Sequence, residues 1–206
     1  PASWRLAMLL PGALMLLLSA LYLKYTQDGP EGAVPAAKAS GKGAFLEAAR
    51  DPRVWALFVG YGACFGVEIT IHNMAAVYFH DRFGLDLKTC GLLAGSFGVL
   101  ALFARSLGGW LSDRTSRRIG LRGRSLLLGS LLLAEGVMLL AFSRAAGLPL
   151  AVVLLLVFGL FVHMSAGATY AVVPFVRRNA VGSVAGIIGA GGNVGAVAAG
   201  LLFRIE

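Results

Sequence analysis

The chain has 206 residues, 58% hydrophobic and only 14% charged, whereas soluble domains average about 45–50% apolar and about 25% charged. This balance excludes an ordinary water-soluble enzyme or binding module and points to lipid as the solvent. The formal net charge of +8 would suggest nucleic acid in a soluble protein. Here Lys and Arg instead gather between apolar runs, the pattern that orients membrane helices, so no nucleic-acid partner is expected.

Six apolar runs are long enough, at about 20 residues, to cross a bilayer as helices. They are Trp4–Leu23, Val54–Phe79, Lys88–Leu111, Ser125–Phe142, Leu148–Val176 and Val181–Phe203. The first run is too long for the apolar core of a secretory signal, and no charged start precedes it. The connections alternate in charge. The first carries Lys24, Lys38, Lys42, Arg50 and Arg53, and the second is balanced. The third carries Arg114, Arg117, Arg118, Arg122 and Arg124; the fourth has only Arg144; the fifth has Arg177 and Arg178. Because positive loops stay inside, residues 24–53, 113–124 and 177–180 are expected on the cytoplasmic side of a multi-pass cell (inner) membrane protein. The segment "QDGPEGAVPAAKASGKG" reads as a flexible connector between two bundles. "GAFLEAARDPRV" follows it as a short amphipathic helix at the membrane surface, stopping before Pro52.

Polar residues inside spans are costly, so each is a functional candidate. In the second span, Tyr61, Phe65, Glu68 and His72 are spaced four, three and four apart, which puts them on one helix face. Glu68 and His72 are the proton-carrying candidates. A purely structural Glu68–His72 or Glu68–Arg105 pair explains them equally well. Arg105 lies well inside the third span, where a cation costs roughly 2.5–3.5 kcal/mol on insertion scales. It either snorkels, forms a structural ion pair, or faces a cavity and meets an anion, which its planar fork of donors suits. The fifth span puts His163, Gly167, Tyr170 and Pro174 on one face. His163 reads first as a core histidine, and Gly167 with Pro174 suggests a kinked or closely approached helix. Cys64 and Cys90 read as packing residues, and no metal or cofactor is expected.

The stretch "GAGGNVG", Gly189–Gly195, looks like a phosphate loop. A dinucleotide loop needs Gly-x-Gly-x-x-Gly between a strand and a helix. Here the last Gly comes one residue late and no strand precedes it, so the stretch belongs inside a membrane helix. The pairs Gly182–Gly186 and Gly191–Gly195 have the spacing for close helix contact. Packing leaves Asn193 unexplained.

Gly109-Trp110-Leu111-Ser112-Asp113-Arg114-Thr115-Ser116-Arg117-Arg118 resembles the Gly-x-Leu-x-Asp-Arg-x-Gly-Arg-Arg signature of the major facilitator superfamily, with Ser116 in place of the second Gly. Four segments together resemble its nitrate/nitrite porter family: "GVEITIHNMAAVYFHDRFGL", "GSFGVLALFARSLGGWLSDR", "GATYAVVPFV" and "GIIGAGGNVG". The resemblance implies an all-α carrier of two six-helix bundles working by alternating access. This chain would supply the last helix of the N-terminal bundle (1–23), the central cytoplasmic loop with its short helix (24–53), and a C-terminal bundle without its final helix (54–206). Its missing partner is then the rest of the N-terminal bundle. The family grips its anion with one arginine from each bundle, and Arg105 matches the C-terminal one. Gly189–Gly195 matches the family's glycine-rich nitrate signature, which brings in Gly191, Gly192 and Asn193. Tyr61 falls where the family places an aromatic near the substrate. Gly109, Asp113, Arg114, Arg117 and Arg118 are implied in conformational gating. The expected activity is secondary transport of nitrate or nitrite through the bilayer, driven by protons, with nitrate/nitrite antiport or carriage of another small anion as alternatives. It is not expected to be an enzyme.

Overall fold

The computed structural model describes residues 3–26 and 42–202. Most of the expected flexible connector, residues 27–41, and the last expected span residue, Phe203, lie outside the described residues. The helices are α1 (Ser3–Tyr25), α2 (Lys42–Ala49), α3 (Pro52–Phe83), α4 (Leu87–Ser143), α5 (Leu148–Val176) and α6 (Val181–Leu202), with a 3-10 turn at Arg178–Ala180 before α6. No strand occurs among the described residues.

The chain divides into two units, Pro1–Lys38 and Ala39–Glu206. The first contains α1, a 23-residue apolar helix with Pro11 inside it. Membrane helices tolerate such a proline where soluble ones do not.

The second unit is a helical bundle whose helix ends follow from local chemistry. Asp51 caps α3, its side chain accepting from the Arg53 backbone N–H, with Pro52 in the first turn, where its missing donor is not needed. The helix stops at Gly84, which takes a left-handed conformation (φ 63°, ψ 26°). Asp86 caps α4 by accepting from the Lys88 and Thr89 backbone N–H groups.

Helix α4 holds two of the expected spans. Its backbone is non-helical only at Ile119 and Gly120, and Gly120 has φ 66°, ψ −155°, which a side chain would oppose. The arms 87–118 and 121–143 therefore meet at a sharp break. This corrects the expected loop at 113–124: Asp113, Arg114, Arg117 and Arg118 sit on the last turns of a helix. The reason is that arginine and serine do not end a helix, whereas a left-handed glycine does.

The bundle consists of two closely packed pairs, α3 with α6 and α4 with α5. In both, helices approach backbone to backbone. A Cβ on Gly66 would strike the α6 backbone at Gly195, and one on Gly195 would strike the Gly62 carbonyl. Likewise Gly108 lies on the Met164 carbonyl and Gly167 on the Arg105 carbonyl. Such approach is how membrane helices gain contact when burial from water gives no drive. Gly182 and Gly186 have open space in place of a Cβ, so only the second of the two expected glycine pairs packs. Short α2 buries Ala44 and Ala48 and exposes Phe45 and Leu46, as a surface amphipathic helix does.

Candidate functional site

Three helices bring a polar cluster into the apolar bundle. Arg105 on α4 donates from Nη2 to Glu68 Oε1 on α3 at 2.6 Å. This is the ion pair that the sequence left open beside snorkelling and an anion site. Glu68 is buried, while the Arg105 side chain stays 41% exposed. A guanidinium has five N–H donors, and Glu68 is its one hydrogen-bond partner among the described residues. The guanidinium therefore has donors that Glu68 does not engage, among them Nε, which is buried without a partner.

His163 on α5 is fully buried behind Glu68. Its Nε2 lies 3.1 Å from the Phe97 carbonyl, and its Nδ1 lies 3.5 Å from Glu68 Oε2. Neither Nδ1 nor Oε2 has a hydrogen-bond partner. His72 is exposed and stands edge-on to Phe97, with ring centres 4.8 Å apart. Donor atoms of Glu68, His72 and His163 lie within 4.8 Å of one another. The Arg105 guanidinium against Glu68 opposes a divalent cation there.

The aromatic stripe continues from this cluster. Arg105 lies over the Phe65 ring at 5.7 Å, Phe65 stacks on Tyr61 at 5.1 Å, and Tyr61 meets Tyr170 edge-on at 5.3 Å. A Cβ on Gly189 would sit 3.4 Å from the Tyr170 hydroxyl. A contact path thus joins Arg105 on α4 to the glycine-rich stretch of α6. Within that stretch Gly191 and Gly192 are buried under the Phe58, Tyr61 and Phe65 rings, which leave no room for a side chain. Asn193 is exposed and donates from Nδ2 to the Gly189 carbonyl one turn back, at 3.3 Å.

At the end of the α4 arms, Asp113 pairs with Arg124 at 2.7 Å. Arg124 is buried, donates to Ser112 Oγ at 3.2 Å and lies over the Phe175 ring at 4.6 Å. Arg114 lies over Trp110. Arg117 and Arg118 are exposed. Gly109 faces the Gly167 carbonyl at 4.0 Å from where its Cβ would be. At the start of α3, Asp51 accepts from Arg53 Nε at 3.0 Å, Arg53 Nη2 at 2.8 Å and Arg177 Nε at 2.9 Å, while Arg177 Nη1 reaches Glu47 at 3.0 Å. The Arg53 hydrogen bonds, helped by Arg177 and opposed by burial, hold the Asp51 carboxyl well below the usual carboxylate range.

Three polar residues escaped the sequence reading as functional candidates. Arg124 was one of five arginines in a basic segment. His163, alone among apolar neighbours, reads as a core histidine. Glu135, on the second arm of α4, is buried against Ser165 and Cys64. A single Glu in "LLLAEGVMLL" is an intramembrane charge, and that signal alone could have marked it.

Comparison with known proteins agrees with this architecture. The chain is 40% identical to High affinity nitrate transporter 2.5 of Arabidopsis thaliana over 98% of its length and 41% of that protein. It is 34% identical to Nitrate transporter 2.1 of Chlamydomonas reinhardtii over 94% of its length and 37% of that protein. It is 38% identical to Nitrate/nitrite transporter NrtP of a Picosynechococcus species over 65% of its length and 24% of that protein. The chain thus spans about two-fifths of the length of the first two relatives. The crystal structure of a bacterial homolog of the human lysosomal transporter Spinster, inward-facing and unoccupied, superposes with a TM-score of 0.63 at 23% identity, over 92% of this chain and 42% of that one. At that identity the likeness bears on the fold alone. The Major Facilitator Superfamily signature covers residues 1–201, and this multi-pass membrane chain belongs to that superfamily.

Proposed function

We propose that the chain is the C-terminal portion of a carrier that moves nitrate or nitrite by alternating access, with uptake coupled to protons. In this reading α1 is the last helix of an N-terminal bundle, residues 24–53 form the central cytoplasmic loop, and residues 54–206 belong to the C-terminal bundle. The observation that carries it is the Arg105–Glu68 pair: an arginine inside the membrane-spanning bundle, exposed on one side, with donors to spare. The names of the similar nitrate transporters agree with this chemistry.

The mechanism follows from competition. A planar oxyanion that takes the Arg105 donors left open by Glu68 competes with Oε1 for the guanidinium charge. The carboxylate charge is then uncompensated inside a low-dielectric bundle, and a proton restores neutrality. Anion and proton binding are thereby linked, each favouring the other. Tyr61 and Phe65 wall the site, Gly191 and Gly192 let those rings lie flat on α6, and Asn193 offers an exposed amide. Gly109, Asp113, Arg114, Arg117 and Arg118 form the cytoplasmic gate. The Arg177 bonds to Glu47 and Asp51 support placing the first and fifth connections on one side of a cell (inner) membrane.

The test is nitrate uptake by vesicles holding the complete polypeptide, with and without an imposed inward proton gradient. Stimulation by the gradient is expected. Uptake indifferent to it would favour anion exchange, and transport that nitrate does not compete with would point to another small anion.

A further inference from the structure

We propose that the coupled proton is held between Glu68 Oε2 and His163 Nδ1, and that His163, not the neighbouring His72, is the histidine that takes part. The inference deepens the proton-coupled reading above and rests on it.

The Phe97 carbonyl sets the tautomer of His163. A backbone carbonyl only accepts, so the His163 nitrogen facing it, Nε2, carries the hydrogen of that 3.1 Å bond. In a neutral imidazole the other nitrogen is then a bare acceptor. That nitrogen, Nδ1, points at Glu68 Oε2, which is also an acceptor when Glu68 is ionised. Their 3.5 Å separation exceeds the roughly 2.9–3.0 Å usual for an N–H···O bond. Both atoms are buried and have no other partner. Two acceptors facing each other away from water are satisfied together by one proton placed between them.

The charges around the site give that proton its function. Around the pair are Cys64, Tyr61 and His72 from α3 and Arg105 and Glu135 from α4, with Tyr170 of α5 one ring further out against Tyr61. Glu135 forms no salt bridge among the described residues. Without the proton, Arg105 and Glu68 cancel, and an arriving anion leaves the bundle with an extra negative charge. With it, Glu68 pairs with the imidazolium, and Arg105 is free to pair with the anion. Anion and proton therefore enter as a neutral set. His72 does not fit the role. It is exposed, so water can serve its ring nitrogens, and it makes no approach to a Glu68 oxygen within 4.0 Å such as His163 Nδ1 makes at 3.5 Å.

The experiment uses the complete carrier in detergent, with nitrate as the probe. Protons taken up per nitrate bound are counted in weak buffer, for the unaltered protein, His163→Gln and His72→Gln. We expect uptake in the unaltered protein and in His72→Gln. In His163→Gln uptake is lost, and nitrate affinity at acidic pH falls at least tenfold. Full uptake by His163→Gln, or loss in His72→Gln, overturns the inference while the coupled reading stands. No uptake by the unaltered protein takes down that reading itself. Should His163→Gln not fold, 15N NMR of histidine-labelled unaltered protein decides. A protonated His163 Nδ1 in the nitrate-bound state supports the inference, and a bare one overturns it.

Discussion

Asp51 and Glu68 are each only 3% exposed, and each grips an arginine from a different helix, yet their bonding differs completely. Both Asp51 oxygens are occupied: Oδ1 by the Arg53 backbone and Nε, Oδ2 by Arg53 Nη2 and Arg177 Nε. Glu68 has one oxygen bonded to Arg105 and one with no partner. A saturated carboxylate has a fixed charge and works as a clamp between helix ends. A half-satisfied one has a vacant position for a proton and a cation that a passing anion can take away. The same pairing of residue types thus serves structure at the helix ends and, in the proposed carrier, exchange within the span.

Neutralising each acid separates the two roles most directly. Glu68→Gln keeps an acceptor for Arg105 but cannot titrate. Nitrate–nitrate counterflow should persist, while stimulation by a proton gradient disappears. Gradient-driven uptake equal to that of the unaltered carrier would remove Glu68 from the coupling. Arg105→Lys keeps the charge and loses the planar fork. Nitrate affinity should weaken by about 10- to 100-fold, since each tenfold corresponds to about 1.4 kcal/mol; unchanged affinity in a binding assay would sink the anion assignment.

Asp51→Ala should act on stability instead. Loss of the cap contributes about 1 kcal/mol, and loss of contacts with partly exposed arginines adds roughly 0–1 kcal/mol. Thermal unfolding in detergent measures the sum, and proton coupling should be untouched. The smallest effect is in pH. Asp51 has a depressed folded-state pKa, so its contribution is present above the unfolded value of about 3.9 and is lost as pH falls toward the folded one. Melting temperature should therefore show no Asp51-dependent change between pH 5 and 8. A drop below about pH 4 should shrink in Asp51→Ala.

Much of this was legible in the sequence because lipid makes polar residues conspicuous. The spans, the intramembrane Arg105, and the Tyr61–Phe65–Glu68–His72 stripe follow from hydropathy and helical spacing. What was not legible depends on partners from other helices. The part His163 plays turns on the Phe97 carbonyl, 66 residues away. Arg124 differs from its basic neighbours only because the break at Gly120 folds it back onto Asp113 and Ser112. The glycines look alike along α6, yet Gly191 and Gly195 meet α3 while Gly182 and Gly186 meet nothing. Hydropathy pointed to a loop at 113–124 because helix ends rich in arginine and loops have the same composition.

The glycine seams carry a mechanical consequence. Where backbones touch with no side chains between them, no rotamer can flip to let the helices slip, so α3–α6 and α4–α5 each behave as one stiff beam. Glu68 rides on the first beam; Arg105 and His163 ride on the second. The joint between the beams combines packing of α3 on α4 and α5 with these charges, and in the proposed carrier it is the charged part of that joint that anion and proton rearrange.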